Sequence, residues 1–176
     1  GDVPLAAAFS RLPFDHLLFT GSTAVGRVVA AAAAANLTPV TLELGGKAPV
    51  IIDDDCDLSA AAQRIAWGKL LNAGQTCIAP DYVLVADAQV EPLVQAILSA
   101  MQNQYPSLAQ NPDYTSIISP RHWQRLQDML ADAQAQGAQL HVHHPAGEVF
   151  DPAARKMAPV IITGVRPSMR IAQEEI

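Results

Sequence analysis

The stretch His16-Leu17-Leu18-Phe19-Thr20-Gly21-Ser22-Thr23-Ala24-Val25-Gly26-Arg27-Val28-Val29 reads as strand, turn and helix in immediate succession. Leu17, Leu18 and Phe19 run without polar alternation, which suits a strand covered on both faces, as in a parallel sheet. Gly21-Ser22-Thr23 turns the chain. Val25, Val28, Val29, Ala32 and Ala33 then recur at helical spacing and mark one face of a helix reaching about Ala35, with Asn36 and Pro39 stopping it. A glycine turn between strand and helix aims helix N–H groups at a ligand's phosphates. The segment Gly21 to Gly26 lacks the three-glycine spacing of the usual dinucleotide fingerprint, however, and a plain βα turn in which Gly26 lets helix and sheet approach accounts for it too.

The same alternation continues downstream. In Val40-Thr41-Leu42-Glu43-Leu44, the residues Val40, Leu42 and Leu44 share one side of a strand and Thr41 and Glu43 the other. Glu43, beside Gly45-Gly46-Lys47, is either a general base made effective by partial desolvation or a solvated strand-end carboxylate. Val50 to Ile52 is a short strand. The aspartates of Asp53-Asp54-Asp55-Cys56-Asp57 disfavour a Cys56 thiolate and suit a helix start, with Asp57 or Ser59 as the cap. That helix carries the stripe Leu58, Ala61, Ala62, Ile65 and Ala66 and runs through Trp67 and Leu71 to Gly74, aiming its last turn at Gln75-Thr76-Cys77. A thiol between a helix and a strand, behind a glycine and with polar neighbours, is a candidate nucleophile, although lone cysteines also serve as small buried hydrophobes.

Tyr82 to Val85 is a strand, and Val90 to Tyr105 a helix with Leu93, Ile97, Ala100 and Met101 inward. Ser119 and Pro120 open a helix that closes at Gly137, with Leu126, Met129, Leu130 and Ala133 as its stripe. Val160 to Ile162 is the last strand, and Ala6 to Leu12 a short helix at the start. His141 and His143 share one strand face while His144 turns away, and no carboxylate or cysteine lies near enough in sequence to complete a site, so no metal is expected. Strands alternating with helices make an α/β chain with a mostly parallel sheet and flanking helices.

Composition narrows the function. Half of the 176 residues are apolar and 16% are charged, which describes a globular chain. A net charge of −6 without a basic cluster argues against nucleic acid. The longest apolar run, Val28 to Ala35, is far short of the ~20 residues a membrane-spanning helix needs. Two cysteines in unlike surroundings are no disulfide framework, and reduced thiols in the cytoplasm are the expectation. Gly1-Asp2-Val3-Pro4 opens without Met and Gln173-Glu174-Glu175-Ile176 ends without a stop signal, as expected of a portion of a longer enzyme.

Three motifs in this order, Phe19-Thr20-Gly21-Ser22-Thr23, Leu42-Glu43-Leu44-Gly45-Gly46-Lys47 and Gln75-Thr76-Cys77, resemble the NAD(P)-dependent aldehyde dehydrogenase superfamily, from Phe14 to Ile176. Glu174-Glu175-Ile176 is similar to the opening of the family's Glu-Glu-Ile-Phe-Gly-Pro segment. The resemblance implies that the Cys77 thiolate attacks an aldehyde, that the Cys77 backbone N–H helps hold the oxyanion, and that Glu43 activates the water that hydrolyses the thioester. It places NAD or NADP with its pyrophosphate near Ser22, Gly21 and Gly26 permitting close approach. The nicotinamide carboxamide is placed at the Leu44 backbone and its ribose at Glu175. Residues 1–43 are then the tail of a cofactor-binding domain and 44–176 part of a catalytic domain, truncated at both ends. The family's oxyanion-hole asparagine, adenosine-ribose lysine and NAD/NADP-selecting acidic position lie upstream of Gly1, so the isolated chain is expected to be inactive. The parent is expected to be a homodimer or homotetramer. The details from Leu37-Thr38-Pro39-Val40-Thr41 onward look closer to the class-3-like and coniferyl-aldehyde branch than to the tetrameric betaine-aldehyde type, implying an aromatic or long-chain aldehyde. A cysteine-dependent acyl hydrolase or transferase, and a non-catalytic binding or structural domain, are the other classes compatible with these residues.

Overall fold

The computed structural model describes residues 2–176, divided into two compact units, Gly1–Gly46 and Lys47–Ile176. The first holds helix α1 (Val3–Phe9), strand β1 (Leu17–Gly21), helix α2 (Thr23–Ala34) and strand β2 (Val40–Leu44). α1 starts earlier than its apolar pattern suggests, because the Asp2 carboxylate accepts the Leu5 N–H at 3.0 Å and Pro4 suits a first turn. β1 and β2 pair in parallel, from Leu17 opposite Val40 to Gly21 opposite Leu44. Leu17, Val29 and Ala33 form the core, with Phe14, Phe19 and Val40 packed on it.

Two expectations change here. The helix face on the sheet is Gly26, Val29 and Ala33, whereas Val25 and Val28 are exposed. A Cβ on Gly26 would lie 2.9 Å from Leu44 Cδ2, so the glycine is what lets α2 lie this close to β2, and the contact line centres on it. β1 is covered on one face within its unit: Leu17 is buried, and Leu18, on the opposite side, is 64% exposed.

The second unit holds β3 (Pro49–Ile51), α3 (Leu58–Leu70), β4 (Tyr82–Leu84), α4 (Val90–Gln104), α5 (Pro120–Ala135), β5 (Gln139–Val142), β6 (Val160–Thr163) and α6 (Arg170–Gln173). β3 pairs with β4 in parallel, as a crossover through α3 permits. β5 and β6 pair antiparallel, the one departure from the parallel pattern. Their connection contains only short 3-10 turns at Pro145–Gly147 and Pro152–Ala154, without the long helix that a parallel return uses.

The cap of α3 is Asp57, whose carboxylate accepts the Ser59 and Ala60 N–H groups at 2.9 and 3.2 Å. Its buried face (Ala62, Ile65, Ala66, Leu70) meets Leu93, Ile97, Ala100 and Met101 of α4, and Ile52, Leu108 and Tyr114 complete this core. Burial pushes the Tyr114 hydroxyl pKa upward, and that hydroxyl donates to Met157 O at 2.9 Å. A second core joins Met129, Ala133, Ala138, Met169 and Ile171. Among the described residues, no helix is long and apolar enough to cross a membrane.

Met129 is fully buried and links α5 to the segment entering α6. Met129→Ala is expected to lower stability by about 2–5 kcal/mol, read as a lower urea midpoint at an unchanged denaturant slope.

Candidate functional site

In the first unit, chemistry-bearing residues collect where the strands end. β1 and β2 run in the same direction, so their carboxyl ends lie together, with Gly21 paired to Leu44 and Thr20 to Glu43. α2 begins at that same end. Ser22 is its cap: Ser22 Oγ accepts the Val25 N–H at 3.4 Å and Ser22 O accepts the Gly26 N–H at 2.8 Å. The first N–H groups of a helix have no intrahelical acceptor and attract an anion. A 12-residue helix opening on Gly21-Ser22-Thr23 at the carboxyl end of parallel strands is therefore a donor set that fits a dinucleotide's pyrophosphate. Gly21, Ser22, Gly26, Glu43 and Leu44 all belong to this unit. The Glu43 side chain is exposed on the Thr41 side of β2, so its own unit does not desolvate it.

In the second unit, the turn that carries Cys77 is more constrained than its sequence suggests. α3 ends at Leu70 rather than running to Gly74, because three residues in a row leave helical geometry by positive φ: Asn72 at 53°, Ala73 at 54° and Gly74 at 80°. Asn tolerates this region and Gly prefers it, but for Ala73 it costs on the order of 1–2 kcal/mol. Gly74 is buried, and a Cβ there would lie 3.1 Å from both Lys69 Cε and Lys69 O. The Gln75 N–H donates to Asn72 O at 3.1 Å and the Ala79 N–H to Thr76 O at 3.0 Å. Cys77, between these bonds, is exposed. Cys56 is half-buried against the main core.

Thr76 and Ile78, on either side of Cys77 in sequence, line a cavity of about 910 Å³ together with Arg64, Trp67, Leu71 and Asn103. Trp67 projects from α3 into solvent, 65% exposed, and Leu71 and Ile78 are exposed as well. The lining thus joins aromatic and aliphatic side chains to the polar Arg64, Thr76 and Asn103.

Glu175 lies on the segment after α6. Arg125 Nη1 donates to Glu175 O at 2.9 Å and lies 3.5 Å from Glu174 Oε2, while Arg170 Nε donates to Glu174 Oε1 at 2.9 Å. The hydrogen bond from Arg170 holds the Glu174 carboxyl below the usual range, with the positive charges of Arg170 and Arg125 adding to it. Lys47 Nζ donates to Asp81 Oδ1 at 2.5 Å and to Glu174 O at 3.2 Å, tying the start of the unit to its end. Burial lowers the Lys69 pKa; the negative charge of Asp81 opposes this, Lys47 reinforces it, and Glu175 opposes it.

Arg125, Lys69 and Asp81 carry no sequence signal that singles them out; only Arg170 and Glu174, at helical spacing, could have been paired in advance. His143 is buried with its Nε2 3.1 Å from Tyr105 O, and His141 Nε2 lies 3.0 Å from Thr163 Oγ1. Among the described residues, no group of three or more His, Cys, Asp or Glu is placed to hold a metal ion.

Residues 6–176 match the model of the aldehyde dehydrogenase family. A probable coniferyl aldehyde dehydrogenase of Pseudomonas aeruginosa is 50% identical over 176 residues, 100% of this chain and 36% of that protein. A dimeric, NADP-preferring aldehyde dehydrogenase of Rattus norvegicus is 44% identical over 177 residues, 100% of this chain and 37% of its own length. The substrate-bound structure of Staphylococcus aureus AldH superposes with a TM-score of 0.88 at 38% identity, covering 99% of this chain and 37% of that one. The chain therefore spans little more than a third of the length of the relatives it matches.

Gly74→Ala meets both a left-handed φ and the Lys69 carbonyl. It is expected to destabilise by about 1–3 kcal/mol, seen as a lower urea midpoint.

Proposed function

The chain belongs to the aldehyde dehydrogenase family, and on that premise we propose that it is the part of an NAD(P)-dependent aldehyde dehydrogenase that carries the nucleophile and the general base. The observation that carries this assignment is an exposed thiol on a pinned turn whose flanking residues, Thr76 and Ile78, line a cavity. Cys77 Sγ attacks the aldehyde carbon and forms a thiohemiacetal, whose oxyanion the Cys77 N–H helps to hold. The chemistry that NAD or NADP would supply when bound is hydride acceptance, by which the thiohemiacetal on Cys77 would be oxidised to a thioester. Glu43 takes a proton from water, the water oxygen attacks the thioester, and the acid leaves as the Cys77 thiolate is restored.

Gly21, Ser22 and Gly26, at the start of α2, would hold the pyrophosphate; the Leu44 backbone would meet the nicotinamide carboxamide and Glu175 its ribose. The start of α2 is supported as this site by its free N–H groups at the carboxyl end of two parallel strands. Residues 1–43 close the cofactor-binding domain and 44–176 supply part of the catalytic domain. The substrate is an aromatic or long-chain aldehyde, which the exposed Trp67, Leu71 and Ile78 lining one cavity and the coniferyl name of the Pseudomonas aeruginosa relative support. The parent is a homodimer or homotetramer, a dimer being the state named for the rat relative. The two free thiols of this chain, Cys56 and Cys77, suit the cytoplasm.

An aldehyde panel with NAD and NADP on the full-length protein tests this. Cys77→Ala is expected to abolish oxidation. Glu43→Gln is expected to release about one equivalent of reduced cofactor in a first turnover and then to slow by about 10²–10⁴-fold. Ester hydrolysis without cofactor reduction would instead favour an acyl hydrolase.

A further inference from the structure

The Gln75 side chain makes a set of bonds that neither the nucleophile nor the cofactor requires of it. Its Nε2 donates to Asn72 O at 3.0 Å and to Ser116 O at 3.1 Å, and its Oε1 accepts the Ile118 N–H at 2.9 Å. Asn72 Nδ2 returns a bond to Gln75 O at 3.2 Å. Both amide hydrogens and one carbonyl lone pair are thereby used.

The far side of the clamp is itself anchored. Between Ser116 and Ile118, Ile117 is buried; its N–H donates to Arg155 O at 3.0 Å and its O accepts from Arg155 Nε at 2.9 Å. Gln75 thus bonds the outer residues of this short segment and Arg155 the middle one, the alternation by which a strand is laddered on both edges. The amide of Gln75 takes the place of a neighbouring strand.

Resting on the assignment of Cys77 as nucleophile, we propose that Gln75 is the positioning residue of the reaction: its amide locks the left-handed turn Asn72–Gly74 to Ser116–Ile118 and so fixes where Cys77 Sγ stands. Strained backbone persists only where its surroundings over-determine it. Within this turn, Ala73 is the strained residue and Gln75 supplies the bonds to sequence outside it. No other residue type substitutes freely. Glu cannot donate, Asn is a methylene too short, and Ala leaves Ser116 O and the Ile118 N–H without their partner.

The test uses the full-length protein and compares wild type, Gln75→Ala, Gln75→Glu and Gln75→Ala combined with Ala73→Gly. Readouts are kcat and KM for the best aldehyde, the rate of Cys77 alkylation by iodoacetamide with Cys56 as internal reference, and thermal melting. Gln75→Ala is expected to lower kcat by about 10²-fold, the scale of a 1 Å misplacement, with KM changed by less than about threefold. Adding Ala73→Gly, which relaxes the turn, is expected to return part of that loss, a coupling that independent sites would not show.

In Gln75→Glu, protonation restores one donor, so kcat relative to wild type is expected to recover by about tenfold between pH 8 and pH 5.5 because a partly buried carboxyl titrates above its usual range. Wild-type kcat and alkylation rate in Gln75→Ala would overturn the proposal. If Gln75→Ala is unfolded at the assay temperature, Gln75→Glu decides, and a pH-independent ratio to wild type overturns it. A wild-type protein in which Cys77 reacts no faster than Cys56 and no aldehyde is oxidised would instead sink the assignment of Cys77 itself.

Discussion

The second unit depends on one primary amide reaching between segments distant in sequence. α3 delivers the chain to Cys77 through three left-handed residues, a path that the α3 packing against α4 does not by itself define. Gln75 bonds that path to Ser116 and Ile118, and the bonds continue outward. Arg155 holds Ile117, Lys156 Nζ donates to Leu108 O at 3.2 Å and to Asn111 O at 2.5 Å, and Glu148 Oε2 accepts the Leu108 and Ala109 N–H groups at 2.8 and 3.0 Å. The loop between α4 and α5 is fixed by side chains from the β5–β6 connection, and the Cys77 turn is fixed to that loop. The turn that carries Cys77 is set by residues that no local pattern ties together.

This division explains what the sequence tells and what it withholds. α4 is legible because Leu93, Ile97, Ala100 and Met101 repeat at helical spacing and all four are buried. α5 is legible for a different reason: Ser119 caps it, accepting the His122 N–H at 3.2 Å, Pro120 opens it and Gly137 follows it at φ 92°. The alternation in β2 correctly separates Glu43 from Val40, Leu42 and Leu44. The contact line of α2 is misjudged because a hydrophobic count ranks Val25 and Val28 above Gly26, whereas close packing selects the residue with no side chain. The end of α3 is misjudged for a related reason, since nothing in Leu71-Asn72-Ala73 forbids helix and only tertiary bonds draw it out of helical geometry. The antiparallel β5–β6 pair turns on what the connection lacks, a helix long enough to cross over.

In the first unit, the geometry proposed to bind the cofactor comes from strand direction. Parallel pairing places Gly21 and Leu44 at the same register position, and the chain after Gly21 enters α2 there, so its free N–H groups sit at the carboxyl ends of both strands. The glycine at position 26 tightens this arrangement by letting α2 lie against Leu44. A motif without the usual three-glycine spacing can therefore still present a phosphate with a helix start, because strand direction and helix proximity, rather than the spacing itself, supply the donors.

Placement, more than charge, is what the turn supplies to Cys77. Lys69 packs its stem against Gly74, and burial depresses its pKa more than the negative charge of Asp81 raises it. Main-chain carbonyls and N–H groups do not titrate over the range in which a protein is folded. A turn that is locked through such groups keeps its shape across that range. For a sulfur proposed to attack a carbonyl in one step and leave a thioester in another, a fixed position would serve both, since each step needs the same atom at the same distance from the reacting carbon.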